Sequence, residues 1–200
     1  MGDGFSQLVT EVTACTKCDL CRSRTNAVPG EGSLTADLML VGEGPGKNED
    51  EQGRPFCGAS GKLLDELLAG IGLARATVYI TNIVKCRPPN NRDPFDDEIR
   101  ACTPYLDRQV AYIKPLVIAT LGRYAMNHFL PGLTISKVHG RPFRRHNQVY
   151  IPLYHPAVAL YRASMRDELH HDFAIIKKVL TNLANEETPS NEVLQQEILL

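Results

Sequence analysis

An excess of charge of one sign is the first thing this sequence lacks. Its 22 basic and 23 acidic side chains leave a net charge of -1, so no overall basic field advertises nucleic acid and any such binding needs local patches. It also lacks a hydrophobic run of membrane-spanning length and a leader-like opening segment, which predicts a soluble, cytoplasmic protein with no membrane partner. No internal repeat is apparent. Two hundred residues, 43% of them hydrophobic, can bury one substantial core and are marginal for two. A single domain over 1–185 is therefore expected, followed by a mobile acidic tail over 186–200. A reducing cytosol makes the six cysteines metal ligands, catalysts or core thiols rather than disulfides.

Nucleotide-cofactor fingerprints are missing as well. Gly42-x-Gly44-x-Gly46 is out of register with G-x-G-x-x-G, and no glycine stands five residues before Gly46 to build a phosphate loop with Lys47. What stands there instead is Leu38-Met39-Leu40-Val41 running into a glycine turn that holds one carboxylate, Glu43. Ligand sites of open α/β sheets sit at the carboxyl edge of the strands, and the missing side chains of Gly42 and Gly44 let another molecule approach the backbone closely. Two further strands should deliver polar groups to the same rim. Val78-Tyr79-Ile80-Thr81 ends in Asn82, and Val149-Tyr150-Ile151-Pro152-Leu153-Tyr154 ends in His155.

Between these strands, Leu116 to Gly122 is apolar almost throughout and predicts a central strand buried on both faces. Apolar residues at helical spacing predict helices over 5–14, 58–72, 94–113, 123–130 and 167–185. Cys15 and Cys18 form a C-x-x-C pair, which supplies two thiolates from one turn and needs partners from elsewhere. Cys86 and Cys102 are the candidates, and the spacing suits zinc or a 4Fe-4S cluster equally; the plain alternative is two buried thiols. Cys57 reads as packing, and Cys21 is ambiguous between a replacement partner and a spare thiol. Lys137 to His146 gathers four basic side chains and two histidines, either a solvated hairpin or a phosphate-contacting patch.

Taken in order, these motifs resemble the family 4 uracil-DNA glycosylases, the iron-sulfur type of bacteria and archaea. The likeness spans roughly Cys15 to Ala157. It is carried by the Cys-x-x-Cys pair, Gly42-Glu43-Gly44-Pro45-Gly46 with Glu49-Asp50, Gly53-Arg54-Pro55-Phe56, Thr81-Asn82-Ile83-Val84-Lys85-Cys86-Arg87-Pro88-Pro89, Cys102 and His155-Pro156. The resemblance implies a doubly wound three-layer α/β/α domain with a four-stranded parallel sheet. It also implies a 4Fe-4S cluster on Cys15, Cys18, Cys86 and Cys102, with Cys21 and Cys57 outside the ligand set. The implied activity is hydrolysis of the N-glycosidic bond of uracil in single- or double-stranded DNA by a monomer at the nucleoid, opening base excision repair.

Such an enzyme must evert the nucleotide to reach it. Asn82 is then expected to read the uracil edge, Phe56 to stack on the ring, Gly42 and Gly44 to line the base, and Glu43 to steady the cationic sugar or orient water, with Asp50 as second choice. His155 is expected to hydrogen-bond the departing base near O2. Phosphate contacts are expected from Lys85, Arg87 and Arg92 and from Arg144, Arg145, Arg162 and Arg166. Two other classes compete: a uracil-DNA binding or crosslinking protein without turnover, suggested by His139, and a small iron-sulfur electron carrier.

Overall fold

The computed structural model describes residues 3–145 and 147–186; His146 and the expected tail from Glu187 lie outside the described residues. The strands are β1 (Glu31–Gly32), β2 (Leu38–Gly42), β3 (Tyr79–Asn82), β4 (Val117–Leu121), β5 (Phe143–Arg145) and β6 (Gln148–Leu153). The helices are α1 (Asp3–Thr13), α2 (Lys47–Gln52), α3 (Ala59–Gly70), α4 (Asp96–Ile113), α5 (Arg123–Phe129), α6 (Ile135–Val138), α7 (Val158–Tyr161) and α8 (Ser164–Glu186).

An apolar strand without a polar side has to be covered twice. In β2 the period-two alternation sends Leu38 and Leu40 toward α3 and α8, where they meet Leu63, Leu64, Leu67, Leu68, Leu169 and Phe173. Met39 and Val41 point the other way, into a second cluster with Phe5, Leu8 and Val12 of α1 and Tyr105 and Leu106 of α4. Each fully buried leucine contributes about 1.5–3 kcal/mol, so the two clusters hold the three layers together. Among the described residues no helix is long and apolar enough to cross a membrane.

The sheet runs β1-β3-β2-β4-β6-β5. Strands β3, β2, β4 and β6 are parallel, as expected for a four-stranded parallel sheet. The described sheet is wider by two antiparallel edge strands, β1 on β3 and β5 on β6. Neither carries an apolar signal: β1 is two residues long, and two of the three residues of β5 are exposed arginines. The chain enters at β2, moves outward to β3 and returns across β2 to β4. That reversal makes the β2/β4 border a topological switch point, where the carboxyl ends of the strands open a crevice.

Register decides what meets there. Gly42 pairs with Asn82, and Leu121 with Leu153, so the turn holding Glu43, the amide of Asn82 and the loop of His155 leave the sheet on one edge. Phe56 reaches the same edge from the turn after α2. Its backbone takes φ +50°, a region that costs non-glycine residues energy. Arg75 holds that turn by donating to the carbonyls of Pro55 at 2.6 Å and Phe56 at 3.1 Å while pairing with Glu31 and Asp65. Gly61 in α3 makes room for it, since a Cβ there would stand 1.7 Å from the Phe56 carbonyl oxygen.

In an exposed helix Gly→Ala gains up to about 1 kcal/mol. Here the sign inverts: Gly61→Ala should destabilise the protein by about 1–3 kcal/mol, as overpacking does. Urea unfolding of the two chains measures the difference.

Candidate active site and cysteine cavity

Glu43, Phe56, Asn82 and His155 line one cavity of about 370 Å³ at this edge, together with Gly44, Glu49, Ser60, Asn91 and Arg92. Three groups far apart in sequence therefore share one concave surface. Asn82 is 2% exposed, and its Oδ1 has no hydrogen-bond partner within the protein. A buried acceptor left unpaired costs about 1–3 kcal/mol, so the pocket carries an unmet demand for a donor. Gly42 is what permits this placement. A Cβ at Gly42 would lie 2.3 Å from Asn82 Oδ1 and 2.8 Å from Phe56 Cζ.

The imidazole of His155 stacks on the Phe56 ring, with centroids 5.4 Å apart and planes 26° from parallel. Its Nδ1 accepts the Ala157 N–H at 3.1 Å. That bond fixes the tautomer of the neutral ring, leaving the proton on Nε2 as a donor. Burial pushes the His155 pKa down to about 4, against a weaker upward pull from Glu49, so the ring is neutral at physiological pH. Glu43 moves the opposite way. Burial and, next, the charge of Asp93 raise its carboxyl above the ordinary range, and Arg123 offsets part of this.

Several expected site residues stand elsewhere. Asp50, second choice for the carboxylate role, is buried outside the pocket lining, with Oδ1 accepting Thr25 N–H at 2.9 Å and Asn26 N–H at 3.4 Å. The first turn of α2 aims its neighbour Glu49 inward instead, where Oε1 takes the N–H groups of Cys57 and Gly58 at 3.1 Å each. Sequence reasoning quoted both acids and named Asp50 as a candidate, whereas Glu49 is the one that lines the pocket.

Lys85 is 1% exposed with its ammonium turned into the protein, so it cannot reach a phosphate. Arg144 and Arg145 lie at the far edge of the sheet. Their strand partners are Val149 and Gln148, about 20 Å of strand short of His155 at about 3.3 Å per residue. There they bond Glu186 and the Phe129 carbonyl. Arg166 is paired with Glu66. Arg92 lines the pocket, yet its guanidinium forms a fork on Glu98 at 2.7 and 2.8 Å and lies over Phe95. Arg87 donates to Asn91 Oδ1 at 2.7 Å, and Arg162 is exposed at the end of α7.

The same helix α7 carries a feature the sequence reading passed over. Tyr161 is 88% exposed and Leu160 47% exposed, six and five residues beyond His155.

On the α1/α4 side of the sheet, Cys15, Cys18, Cys21, Cys86 and Cys102 line a second cavity with Lys17, Arg24 and Lys85. Arg24 donates to Cys86 Sγ at 3.0 Å, and the Lys85 peptide N–H donates to Cys102 Sγ at 3.2 Å. Burial raises the thiols of Cys18 and Cys86 and pushes Cys102 up to about 11. Bare thiolates are thus disfavoured here, and a metal that takes them as ligands reverses that preference. Among the described residues no three ligand side chains converge as on a single ion; the thiols are arrayed around the cavity instead. Cys57 lies outside this lining.

Comparison with known proteins shows the family. Residues 29–183 match the model of the Uracil DNA glycosylase superfamily. The chain is 48% identical over 187 residues to a type-4 uracil-DNA glycosylase of Sulfurisphaera tokodaii, covering 88% of this chain and 85% of that one. It is 49% identical over 180 residues to a type-4 uracil-DNA glycosylase of Archaeoglobus fulgidus, covering 86% and 90%. Against a type-4 uracil-DNA glycosylase of Thermotoga maritima the identity is 46% over 162 residues, 79% of this chain and 84% of that one. The chain belongs to the uracil DNA glycosylase superfamily, in its type-4 family.

Proposed function

We propose that this protein removes uracil from DNA by hydrolysing the N-glycosidic bond of an everted nucleotide, with Asn82 reading the base, His155 receiving charge on it and Glu43 acting on the sugar side. The observation that carries the reading is the orphaned Oδ1 of Asn82 in a pocket it shares with Glu43 and His155. Uracil offers a donor at N3–H and an acceptor at O4, which the carbonyl and NH2 of one amide can meet together. Cytosine reverses both atoms and would leave buried groups unpaired, a mismatch able to support rejection by ~10⁴-fold or more.

Cleavage leaves positive charge on the sugar and negative charge on the departing base. A neutral His155 with its proton on Nε2 can donate to that base without first being protonated, and N–H groups of the glycine turn can add to it. Glu43, ionised, can stabilise the sugar cation or orient water. Phe56 is buried beneath His155 and forms an apolar wall on which a pyrimidine can stack. Leu160 and Tyr161 supply a candidate wedge for the gap that eversion leaves in the stack. Arg87 and Arg162 remain candidates for phosphate contact; the substrate is DNA and the enzyme works as a monomer. His139, the residue behind the trapping alternative, bonds Asp172 at 2.9 Å outside the pocket lining, which gives that alternative no support.

The cysteine cavity fits a 4Fe-4S cluster on Cys15, Cys18, Cys86 and Cys102: the donors are thiols and the charged side chains around them are Lys17, Arg24 and Lys85, all cations. A cluster on these thiolates would tie the N-terminal segment to the loop after Asn82 and to α4 by coordination. No redox step is needed for the hydrolysis.

Three outcomes test this. Asn82→Ala should keep the iron and visible absorbance of the native chain while uracil release from an oligonucleotide falls by about 10²-fold or more. The pH profile of single-turnover release should lose rate on the acid side as Glu43 protonates, above the ordinary glutamate pKa of 4.5, and before His155 protonates near about 4. Glu43→Gln should remove that limb together with most of the rate. Cys86→Ser and Cys102→Ser should lose iron and acid-labile sulfide, whereas Cys57→Ser and Cys21→Ser should retain both.

A further inference from the structure

Among the described residues Lys85 is the one cation given three neutral acceptors inside the core. Its Nζ donates to Thr81 Oγ1 at 2.6 Å, to the Asn82 carbonyl at 2.7 Å and to Gln109 Oε1 at 2.7 Å. An ammonium has three N–H groups, so all three are used. The acceptors are themselves fixed. Thr81 Oγ1 donates to the Pro29 carbonyl at 2.8 Å, and Gln109 Nε2 donates to the same carbonyl at 2.8 Å and to Tyr79 Oη at 3.1 Å. None of these partners is a carboxylate. A buried charge is costly unless something opposite stands near it, and the cysteine cavity, which Lys85 lines, is where thiolate ligands would stand.

The position of Lys85 in the chain gives this arrangement a direction. Three residues before it, Asn82 carries the amide of the base pocket, and its backbone carbonyl is the one Lys85 grips. The Lys85 peptide N–H holds Cys102 Sγ. We propose that Lys85 is a positioning residue that couples the cysteine cavity to the base-reading amide, its ammonium fixing the end of β3 so that Asn82 presents its side chain beside Gly42. This rests on the reading of Asn82 given above. The tolerance at that point is small, because Asn82 Oδ1 already stands 2.3 Å from where a Cβ on Gly42 would be. Misplacement of a recognition group by about 1 Å can cost about 10²-fold in rate.

The test is a double-mutant cycle on the full-length iron-containing protein. Lys85→Met should lower single-turnover uracil release about 10- to 100-fold, with iron per chain and affinity for uracil-free DNA of the same length unchanged. In an Asn82→Ala background the same substitution should cost less than about 2-fold, since no amide is left to position. Full activity of Lys85→Met, or equal losses in both backgrounds, overturns the inference. Should Lys85→Met lose its iron or fail to fold, Thr81→Val and Thr81→Ser decide. The valine removes one acceptor of the ammonium and should lose about 3- to 10-fold, and the serine keeps it and should stay near the native rate. Equal rates for the two overturn the inference. A native chain that releases no uracil at all refutes the assignment of the pocket instead, a result separate from any of these.

Discussion

The parallel pairing that sets Gly42 opposite Asn82 is the constraint on which the pocket depends. A strand pair shifted by one residue would turn every side chain of β3 to the other face and put Thr81 where the amide stands. The register is held by burial, since β2 and β3 have no exposed residue and each face of the sheet has its own apolar cluster to satisfy. The core therefore determines the site in a literal sense: slipping Asn82 by one residue would turn Tyr79 and Ile80 of its own strand out of the apolar clusters they fill. Glycine at 42 is the local corollary. With any side chain there, the amide and the ring of Phe56 could not share the space they occupy.

Around that fixed amide the protein separates two ionisable groups by environment. His155 is held neutral, with its tautomer set by a backbone N–H from the residue two places on, so its free nitrogen can only donate. Glu43 lies in a glycine turn, where burial and the charge of Asp93 raise its carboxyl and Arg123 offsets only part of that rise. Both shifts have burial as their main cause, yet burial acts with opposite sign on an acid and a base. In the reaction proposed above, such a pair would set a donor toward the departing base and a carboxylate toward the sugar, with little rearrangement needed at the moment of bond cleavage.

The four parallel strands and the helices covering them were legible because their signals are long and periodic, as in Leu38 to Val41 and in the leucines of α3. The convergence of Glu43, Asn82 and His155 was legible for a simpler reason: each directly follows an apolar run, and parallel strands finish on one edge. What escaped had no such marker. The edge strands β1 and β5 are short and polar, so no hydrophobic pattern announces them. Lys85 was read as solvent-facing because cations usually are, and only the tertiary partners Gln109 and Thr81 say otherwise. Choosing between Glu49 and Asp50 required the phase of a six-residue helix to within one position, and sequence patterns do not fix boundaries so closely.

A net charge of -1 leaves open how such a chain holds a polyanion. Much of its positive charge is already spoken for: Arg75 with Glu31, Arg92 with Glu98, Arg108 with Glu11, Arg123 with Asp93, Arg144 with Glu186 and Arg166 with Glu66. Lys85 is buried and Arg24 is turned onto a cysteine sulfur. Counterion release scales with the number of phosphates neutralised, and each of these cations must trade a carboxylate for a phosphate to contribute to it. On the function proposed above, short-range terms add to it: the everted base in its pocket, backbone N–H groups of the glycine turn, and apolar contact from Leu160 and Tyr161. These terms exist only where a base can leave the stack.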